Sequence, residues 1–452
     1  MKNPSKFSFS VIIGMALFSM TTSAQFKPGA VNFPSPNAAT LGLYGDIPVN
    51  HFTGIPNIQV PLYTLSERDV QIPVALSYHT AAVKLNAHPG WTGLGWNLST
   101  GGAITRVVKG GPDEIKSSTR AGYGYYFNHD KVNVGTWSSD TKLKEYGHDF
   151  LFGEPYNHEV MPDEFHFNFL GYSGTFYLDH TGQWVVQSDR DVKIIFEPTN
   201  GGFVSTSELR EPLKWDVPSG VRQHNDTYFN KFSIVSDDGT IYEFGGIHAT
   251  EYSVPYRNPE TTWLIPTTWN LVKITSPKGA VITFEYEPGH LVCALSNGYS
   301  YLKYNKEGGG GWFSLNPSCS GTVVNFGRRP ANGYLLFPVY LKRIVADNVS
   351  MEFTRSVTTE MRYDDYDLNY DSFYDPVYFY GFYFDNPNEL QWEQLDTLKI
   401  MDSGGEIVKK YKFDYTNSSS TRLKLLAVTE TDITNTQNAT YRFSYNSNEM
   451  SL

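Results

Sequence analysis

Cysteine is almost absent from this sequence. Cys293 and Cys319 are the only two among 452 residues. They lack the paired spacing of a zinc site, so a structural zinc centre or a thiol nucleophile has little support. In an oxidising compartment they form one candidate disulfide, and a pair of free buried thiols is an open alternative.

Positive charge is also scarce. Lys and Arg number 36 against 47 Asp and Glu, which gives a formal net charge of −11. A nucleic-acid backbone or an anionic lipid surface must be met by clustered Lys and Arg, so the sequence predicts neither as a partner. The longest apolar run, Phe7–Met20, is shorter than the roughly 18–20 residues that span a bilayer. We therefore expect no membrane span.

That apolar run is typical of an export signal. Lys2 and Lys6 precede it, and the small residues Thr22–Ala24 follow it at the usual cleavage position. We expect residues 1–24 to be removed near Ala24–Gln25. The remaining chain is then predicted to be secreted or placed at the cell surface.

Helical periodicity is missing, whereas strand patterns recur. In DVQIPVALSY, Val70, Ile72, Val74, Leu76 and Tyr78 alternate with other residues, which indicates a half-buried strand. IQVPLYTL before it alternates in the same way, and SERD between them is a candidate hairpin turn. Pro61 and Pro73 cannot donate to a ladder, so we expect each to lie at an edge or a bulge.

The second half of the chain repeats a strand, a turn and an aromatic-rich strand. The turns DDG (237–239), PKG (277–279) and SGG (403–405) contain residues that tolerate positive φ. Aromatic residues share one face of the strands that follow, as in KKYKFDY. The fold class predicted is all-β: an antiparallel hairpin array that forms curled sheets or sandwich-like units, with long irregular loops. Three insertions are predicted as surface loops: Lys116–Pro162, Tyr299–Pro330 and Thr358–Glu389.

The same patterns give a division of the chain. After the signal (1–24) we predict an N-terminal β region (25–115), a loop-rich insertion (116–160) and a β-hairpin region (161–290). A Gly/Tyr-rich insertion with both cysteines (291–340) and C-terminal hairpins (341–452) complete it.

Specific blocks carry a resemblance. LYGDIPVNHFTGIPNIQVPLYTL, followed by IPVALSYHTAAVKLNAHPGWTGLGWNLSTGGAITRVVKGGPDE, resembles the N-terminal region of secreted RHS/YD-repeat proteins of Gram-negative bacteria. PDEFHFNFLGYSGTFYLD, DDGTIYEFGG and TTWNLVKITSPKGAVITFEY are similar to the blocks that follow in that family. The resemblance implies a β-rich shell or surface filament, and some relatives enclose or carry a variable C-terminal effector. Relatives continue into further repeats beyond YNSNEMSL, so we expect a fragment, a truncated copy or a lost downstream part.

Few residues suggest chemistry. Asp365, Asp367, Asn369 and Asp371 alternate like calcium-loop ligands, but Tyr370 replaces the loop glycine and Pro376 the final glutamate. A solvated acidic loop is the default interpretation. In HEVMPDEFH the two histidines are eight apart and Pro162 interrupts a helix, so a loop leading into a strand is favoured over a metal site. PDE occurs twice, at Pro112–Glu114 and Pro162–Glu164, and is interpreted as a turn that begins a strand. We predict no catalytic residue, no metal and no cofactor.

Aromatic residues are the best candidates for ligand contact. Exposed Tyr and Trp give a large contact area at low entropic cost. The alternative is that these rings pack back onto the sheet. The candidates lie in the tryptophan segment and in two Tyr-rich loops: Trp91, Trp96, Tyr123, Tyr125, Tyr126, Tyr374, Tyr378 and Tyr380.

The segment WTGLGWNLSTGGAITRVVKG fails as a phosphate loop because Leu98 occupies the third glycine position and no βαβ unit surrounds it. We favour a scaffold role, in which its glycines let the chain approach a neighbouring strand. The leading hypothesis is a non-enzymatic exported structural protein acting in assembly, adhesion or carriage of a C-terminal partner. Its partner would be another protein or the missing C-terminal repeats. The alternatives are a carbohydrate-binding or adhesion module that uses the Tyr-rich loops, and a hydrolase with paired carboxylates.

Overall fold

The structure is a computed structural model. It describes residues 58–80, 83, 88–115, 124–132, 161–213, 227–255, 264–290, 292–303, 324–360, 392–432 and 437–445. The described residues of Asn57–Leu452 form one compact unit. The predicted export signal, residues 1–24, lies outside the described residues. No helix in the described part of the chain is long and apolar enough to cross a membrane.

The described chain is all-β, as predicted. One α-helix, α1 (Thr206–Leu213), accompanies the strands. The strands are β1 (Ile58–Glu67), β2 (Val70–Tyr78), β3 (Trp96–Ser99), β4 (Gly102–Val107), β5 (Glu164–Phe169), β6 (Tyr172–Leu178), β7 (Trp184–Ser188), β8 (Val192–Ile195), β9 (Phe203–Ser205), β10 (Thr227–Phe229), β11 (Lys231–Ser236), β12 (Ile241–Gly245), β13 (Thr250–Pro255), β14 (Ile265–Thr275), β15 (Val281–Pro288), β16 (Val292–Lys303), β17 (Val324–Phe337), β18 (Val339–Val345), β19 (Val349–Val357), β20 (Glu393–Asp402), β21 (Ile407–Ser418), β22 (Thr421–Thr431) and β23 (Gln437–Arg442).

Antiparallel pairing arranges these strands in three main sheets. The N-terminal sheet has the order β1-β2-β3. Sheet A has the order β7-β6-β5-β4-β14-β13-β17-β16. Sheet B has the order β8-β11-β12-β14-β15-β18-β19-β20-β21-β22-β23. Strand β14 is shared, because its first half pairs in sheet A and its second half in sheet B. A separate β9–β10 pair lies beside α1.

The first predicted hairpin is confirmed. Strands β1 and β2 pair from Glu67↔Val70 outwards and leave Arg68 and Asp69 as a two-residue turn. Arg68 has a φ of 52°. Two-residue hairpin turns of types I′ and II′ both need a positive φ at this first central position. The ladder bulges just after Pro61, and Pro73 lies beyond the stretch of β2 that pairs with β3. Both prolines therefore occupy the positions expected for residues that cannot donate.

The predicted glycine turns are also confirmed. Gly239, Gly279 and Gly405 all have φ values between 83° and 85°, in the left-handed region that glycine adopts at no steric cost. The strands that leave these turns bury alternate residues, as β15 does with Ile282 and Phe284. The alternation of apolar and polar residues therefore predicted both the strands and the face of each strand that is buried.

Aromatic side chains fill much of the core between these sheets. Phe165 of β5 stacks on Phe176 of β6, with ring centroids 5.0 Å apart. Phe232 and Trp269 meet edge to face at 5.3 Å, and all four side chains are at most 1 % exposed. The Nε1–H of Trp269 donates to the backbone carbonyl of Phe229 (3.0 Å), so its polar atom is satisfied within the core. Aromatic pairs of this kind add to the gain from burial alone.

Two local elements differ from the sequence-based expectation. The helix α1 was not predicted, although its start carries a capping box: the Ser205 N–H donates to Glu208 (2.8 Å) and the Glu208 N–H to the Ser205 hydroxyl (3.3 Å). The prediction of a surface loop over Tyr299–Pro330 was wrong at both ends of that range. There β16 and β17 continue as a paired ladder, from Tyr299↔Arg328 to Lys303↔Val324. Tyr299 and Tyr301, and likewise Val324 and Phe326, stand at alternate positions, and residues of these types favour strand over loop.

Candidate functional site

The tryptophan segment, defined here as Trp91–Gly102, joins the N-terminal sheet to the last hairpins of sheet B. The backbone N–H of Leu94 donates to the carbonyl of Leu423 (2.9 Å). The N–H of Leu395 donates to the carbonyl of Trp91 (2.8 Å). A segment near the start of the described chain is thus hydrogen-bonded to strands more than 300 residues later.

The side chain of Trp96 strengthens this joint. Its Nε1–H donates to the hydroxyl of Tyr445 (2.9 Å), which donates in turn to the carbonyl of Leu425 (2.7 Å). The indole packs on Phe443 at 4.5 Å and on Tyr78 at 5.1 Å between ring centroids. Trp96 is only 6 % exposed, so it is a packing residue rather than an exposed platform.

The glycines of the segment allow the close approach that the sequence predicts. Gly93 has a φ of +92°, and a Cβ there would lie 2.9 Å from the backbone nitrogen of Leu425. Gly102 has a φ of +128°, and its Cβ would lie 2.3 Å from the carbonyl oxygen of Asn168 on β5. Only glycine fits at such distances, because real Cβ atoms do not approach backbone atoms this closely.

The candidate ligand-contact aromatic residues differ in burial and packing. Trp96 and Tyr125 are buried, Tyr125 to 3 % exposure, and neither offers a face to a ligand. Tyr126 packs edge to face on Phe203 and Phe229, at 5.3 and 5.5 Å. Trp91 is half-buried and lines a cavity described below. The remaining four lie outside the described residues: Tyr123, Tyr374, Tyr378 and Tyr380.

Most of the metal and disulfide candidates lie in parts of the chain that the structure does not describe. Asp365, Asp367, Asn369, Asp371 and Cys319 lie outside the described residues. Cys293 lies in β16, opposite Leu335 of β17. In the described part of the chain, no three His, Cys, Asp or Glu side chains are grouped to hold a metal ion.

A cavity of about 560 Å³ is lined by the tryptophan segment, by β4 and β5, and by residues of β13, β14 and β18. We call it the Trp91 cavity. The indole of Trp91 lies 5.4 Å from the ring of Tyr340, so two aromatic rings meet at one wall. Gly289 makes room for that tyrosine, because a Cβ there would lie 2.3 Å from the ring. Its polar and aromatic lining residues include Trp91, Asn97, His166, Asn168, Glu251, Asn270 and Tyr340.

Glu251 is the carboxyl group of the Trp91 cavity. It lies on β13, and its Oε1 accepts the backbone N–H of Val339 (3.4 Å). Burial raises the pKa of Glu251 above its ordinary value, and hydrogen bonds from Val339 and Thr268 offset that only in part. The described lining contains no lysine or arginine that would hold this carboxyl in its charged form.

The sequence analysis did not predict a second group of interacting residues, a buried arginine with three acidic side chains. Arg106, on the core side of β4, donates through Nε to Asp163 (2.8 Å) and through Nη1 to Glu114 (2.9 Å). Asp163 and Asp113 also accept each other's backbone N–H, at 3.0 and 3.1 Å. We call these four residues the Arg106 cluster. The side chains of Arg106, Glu114 and Asp163 have no exposed surface, and Asp113 is 0 % exposed.

The two PDE repeats therefore have a different role from the one expected. Pro112–Glu114 does not begin a described strand; it turns inward and supplies two carboxyl groups to the cluster. Pro162–Glu164 does lead into β5, as expected, but its aspartate is the carboxylate that receives Arg106. The repeats meet because β4 pairs with β5 in the register Arg106↔Phe165. The signals in the sequence are the duplicate PDE and a lone arginine in the apolar run AITRVV.

Electrostatics make the Arg106 cluster a structural charge centre. Burial lowers the pKa of Arg106, but Asp163 and Glu114 outweigh it and the net pKa is raised, so the guanidinium stays charged. Burial, followed by the charge of Asp163, raises the pKa of Asp113 well above its ordinary value. Burial shifts the pKa of Asp163 in the same direction, but the charge of Arg106 and the N–H of Lys109 act against that shift. Because the cluster is closed to solvent, it does not provide the accessible carboxyl pair that a glycosidase needs.

A charged cavity of about 650 Å³ lies elsewhere, along β18, β19 and the start of β20. His290 Nδ1 is 2.8 Å from Glu393, and Arg355 also binds Glu393. Ser356 lines the same cavity but donates to Asp396 (2.9 Å) rather than to His290. A nucleophile, a base and an orienting acid are therefore not aligned there.

Glu360 is a buried carboxyl group whose raised pKa predicts a pH-dependent contribution to stability. It is 4 % exposed, its Oε2 accepts the Leu423 N–H (2.8 Å), and the ring of His88 lies 3.9 Å away. Burial raises the pKa of Glu360 to about 7, with hydrogen bonds from Leu423 and Thr358 and the charge of Arg422 acting against the rise. His88 stacks on Trp392, and burial lowers its pKa to about 3.

We expect Glu360→Gln to gain stability relative to the parent as pH rises. A carboxyl whose folded pKa exceeds its unfolded value stabilises at low pH, and that contribution is lost as pH rises through about 7. Glutamine does not ionise. The free energy of unfolding of Glu360→Gln, relative to that of the parent, should therefore increase by up to about 3 kcal/mol between about pH 4.5 and 8. His88 titrates the opposite way but is common to both proteins. Urea denaturation at several pH values, with the exposed Glu285→Gln as control, measures this; a difference independent of pH would contradict it.

No protein-family model matches the sequence, and no curated protein matches it. Solved structures with similarity include the complex TcdB2-TccC3-Cdc42, at 12% identity and a TM-score of 0.37, over 85% of this chain and 15% of that one. The Tc holotoxin pore of Photorhabdus luminescens matches at 12% identity and a TM-score of 0.35, over 83% of this chain and 15% of that one. The N-terminal domain of effector protein SpvB from Salmonella typhimurium matches at 12% identity and a TM-score of 0.30, over 86% of this chain and 99% of that one. This chain thus spans 15% of the length of the first two chains it matches.

Proposed function

We propose that this chain is an exported, non-enzymatic β module that acts in assembly, in adhesion or in carriage of a C-terminal protein partner. The observation that carries the proposal is the use made of the tryptophan segment. Its backbone groups form hydrogen bonds with Leu423 and Leu395, and the Trp96 indole donates to Tyr445. A segment that ties distant parts of a sheet together in this way serves a scaffold, because the polar atoms that make these bonds are not available to a ligand.

Two further features support a structural role. The buried carboxyl groups of the Arg106 cluster are occupied by a guanidinium and by backbone N–H groups. The His290–Glu393 pair has no aligned nucleophile among the described residues. Export rests on the sequence of residues 1–24, whose positive and apolar regions precede small residues at a cleavage position.

The test is location and assembly state in the producing cell. A tagged chain is followed by protease treatment of intact cells and by its mass under native conditions. We expect the chain outside the cell, cleaved near Ala24, in a particle larger than the 51.0 kDa chain. A monomer retained inside the cell would contradict the proposal.

A matched pair of variants tests whether assembly depends on the contact between the tryptophan segment and the last hairpins of sheet B. Trp96→Ala removes a buried indole and its hydrogen bond, a truncation that typically costs about 3–5 kcal/mol. We expect it to lower the amount of assembled particle. Val408→Ala, at a position that is 53 % exposed, should leave that amount unchanged. Equal assembly by both variants would show that the joint is not needed.

A further inference from the structure

We infer that the Trp91 cavity is a binding site for a neutral, polyhydroxylated ligand such as a short oligosaccharide. This goes beyond the structural role proposed above and uses a different part of the molecule from the Tyr-rich loops. The volume of about 560 Å³ lies within the roughly 300–1,000 Å³ usual for small-molecule sites. The case rests on the charge, the shape and the polar groups of the cavity wall.

The first step is charge. Among the described residues that line the cavity there is no lysine and no arginine. An anionic ligand would bring a charge that no lysine or arginine in this lining compensates, beside the carboxyl of Glu251. His166 is the one imidazole among these residues, and its Nε2 already lies 3.5 Å from Glu164. A cation would meet only one carboxyl group among the described lining residues, that of Glu251, and burial disfavours the charged form of that group. The lining therefore suits an uncharged ligand.

The second step is the aromatic wall. Trp91 and Tyr340 lie 5.4 Å apart with their planes inclined at 43°, and both are partly accessible. Their positions are fixed by packing: Trp91 also contacts Phe353, and Arg355 lies 5.1 Å from the ring of Tyr340. Rigid aromatic rings with one open face suit a flat ligand that has an apolar face and polar edges.

The third step is the set of amide side chains that line the same cavity. Asn97 of β3 and Asn168 of β5 are exposed, and neither makes a side-chain hydrogen bond to another described residue. Asn270 of β14 uses one N–H on the carbonyl of Ala249 (3.1 Å), and its amide oxygen is available. Amide groups both donate and accept hydrogen bonds, which matches the hydroxyl groups of such a ligand.

The experiment measures binding of defined sugars to the full chain. Four neutral trisaccharides (maltotriose, cellotriose, chitotriose and mannotriose) and the anionic trigalacturonate are titrated while tryptophan fluorescence and saturation-transfer NMR are recorded. We expect at least one neutral trisaccharide to bind at millimolar concentration or tighter and to change the fluorescence. Trigalacturonate should bind at least about tenfold more weakly, because its charge has no partner.

Variants place the ligand in the cavity. Asn97→Ala and Asn168→Ala are surface truncations that should keep the fold, and each should weaken binding about two- to tenfold. Trp91→Phe keeps an aromatic ring at the joint and should weaken binding further, with the Trp91 fluorescence change lost. Asn200→Ala, in an exposed turn away from the cavity, is the matched control and should bind like the parent.

Three results would overturn the inference. They are no binding of any neutral trisaccharide, binding of trigalacturonate as tight as that of the neutral sugars, and binding that is unchanged in the Asn97 and Asn168 variants. None of these results bears on location or assembly, so a failure here is distinguishable from a failure of the structural role.

Discussion

Arg106→Met is expected to lower the free energy of unfolding by about 3–5 kcal/mol, because it leaves buried carboxyl groups without their cation. The guanidinium donates to both Glu114 and Asp163, and the side chains of all three residues have no exposed surface. Methionine retains much of the volume, so the loss reports charge more than packing. Urea denaturation at neutral pH measures the effect.

The destabilisation should depend on pH. Without Arg106 the folded pKa of Asp163, which burial already raises, should rise further, since burial then acts without the opposing charge of the guanidinium. A carboxyl with a raised folded pKa stabilises below its unfolded pKa and loses that contribution as pH rises. Arg106→Met should therefore lie closest to the parent near pH 4 and furthest from it near pH 7.

Controls separate the buried charge from charge in general. Lys412→Met removes an ion pair with Asp414 (2.8 Å), but the lysine side chain is 63% exposed. Exposed pairs contribute about 0–1 kcal/mol, so this variant should be almost unaffected. The triple change Arg106→Met, Glu114→Gln and Asp163→Asn should recover part of the loss, because it removes the uncompensated charges. A loss under about 1 kcal/mol for Arg106→Met, or one independent of pH, would contradict a charge-centre role.

The strands and turns were predictable because their signals are local. Val70, Ile72 and Val74 alternate with exposed neighbours, and the buried face of β2 follows from that alternation alone. Gly239 and Gly279 mark turns because a positive φ favours glycine wherever the turn occurs. Such features depend on a few consecutive residues and need no knowledge of the rest of the fold.

The Arg106 cluster and the Trp91 cavity were not predictable in the same way. Asp113 and Asp163 are 50 residues apart, and only the register of β4 against β5 brings them together. The wall of the cavity combines Trp91, in the turn before β3, with Tyr340 of β18. A single sequence contains no statement of such pairings, because strand order between distant segments is decided by the packing of whole faces.

The tryptophan segment shows both sides of this limit. Its glycines predicted a close approach to a neighbouring strand, and Gly102 makes that approach to β5. Its tryptophans did not reveal that Trp96 is held by Tyr445 while Trp91 lines a cavity. Residue type indicates that an aromatic side chain will be used; the tertiary environment decides whether it packs or binds.

Gly102→Ala should be the other strongly destabilising change, with a loss of about 3 kcal/mol or more. Two costs combine there. A non-glycine residue at a φ of +128° is strained by about 1–3 kcal/mol. The new methyl group would also lie 2.3 Å from the carbonyl oxygen of Asn168 and 2.4 Å from the Cβ of Phe169, so the paired β5 backbone must shift.

Gly171→Ala is the matched control, because its φ of +84° is also positive but a Cβ there meets nothing within 4 Å. It should lose only the conformational part, about 1 kcal/mol. Thermal and urea denaturation of both variants give the difference, which isolates the contact between Gly102 and β5. Equal losses would mean that backbone conformation alone explains the glycine, and that close approach to β5 does not hold the segment in place. A larger loss at Gly102 would mean that the same contact fixes β4 against β5, and with it the register that assembles the Arg106 cluster and the floor of the Trp91 cavity.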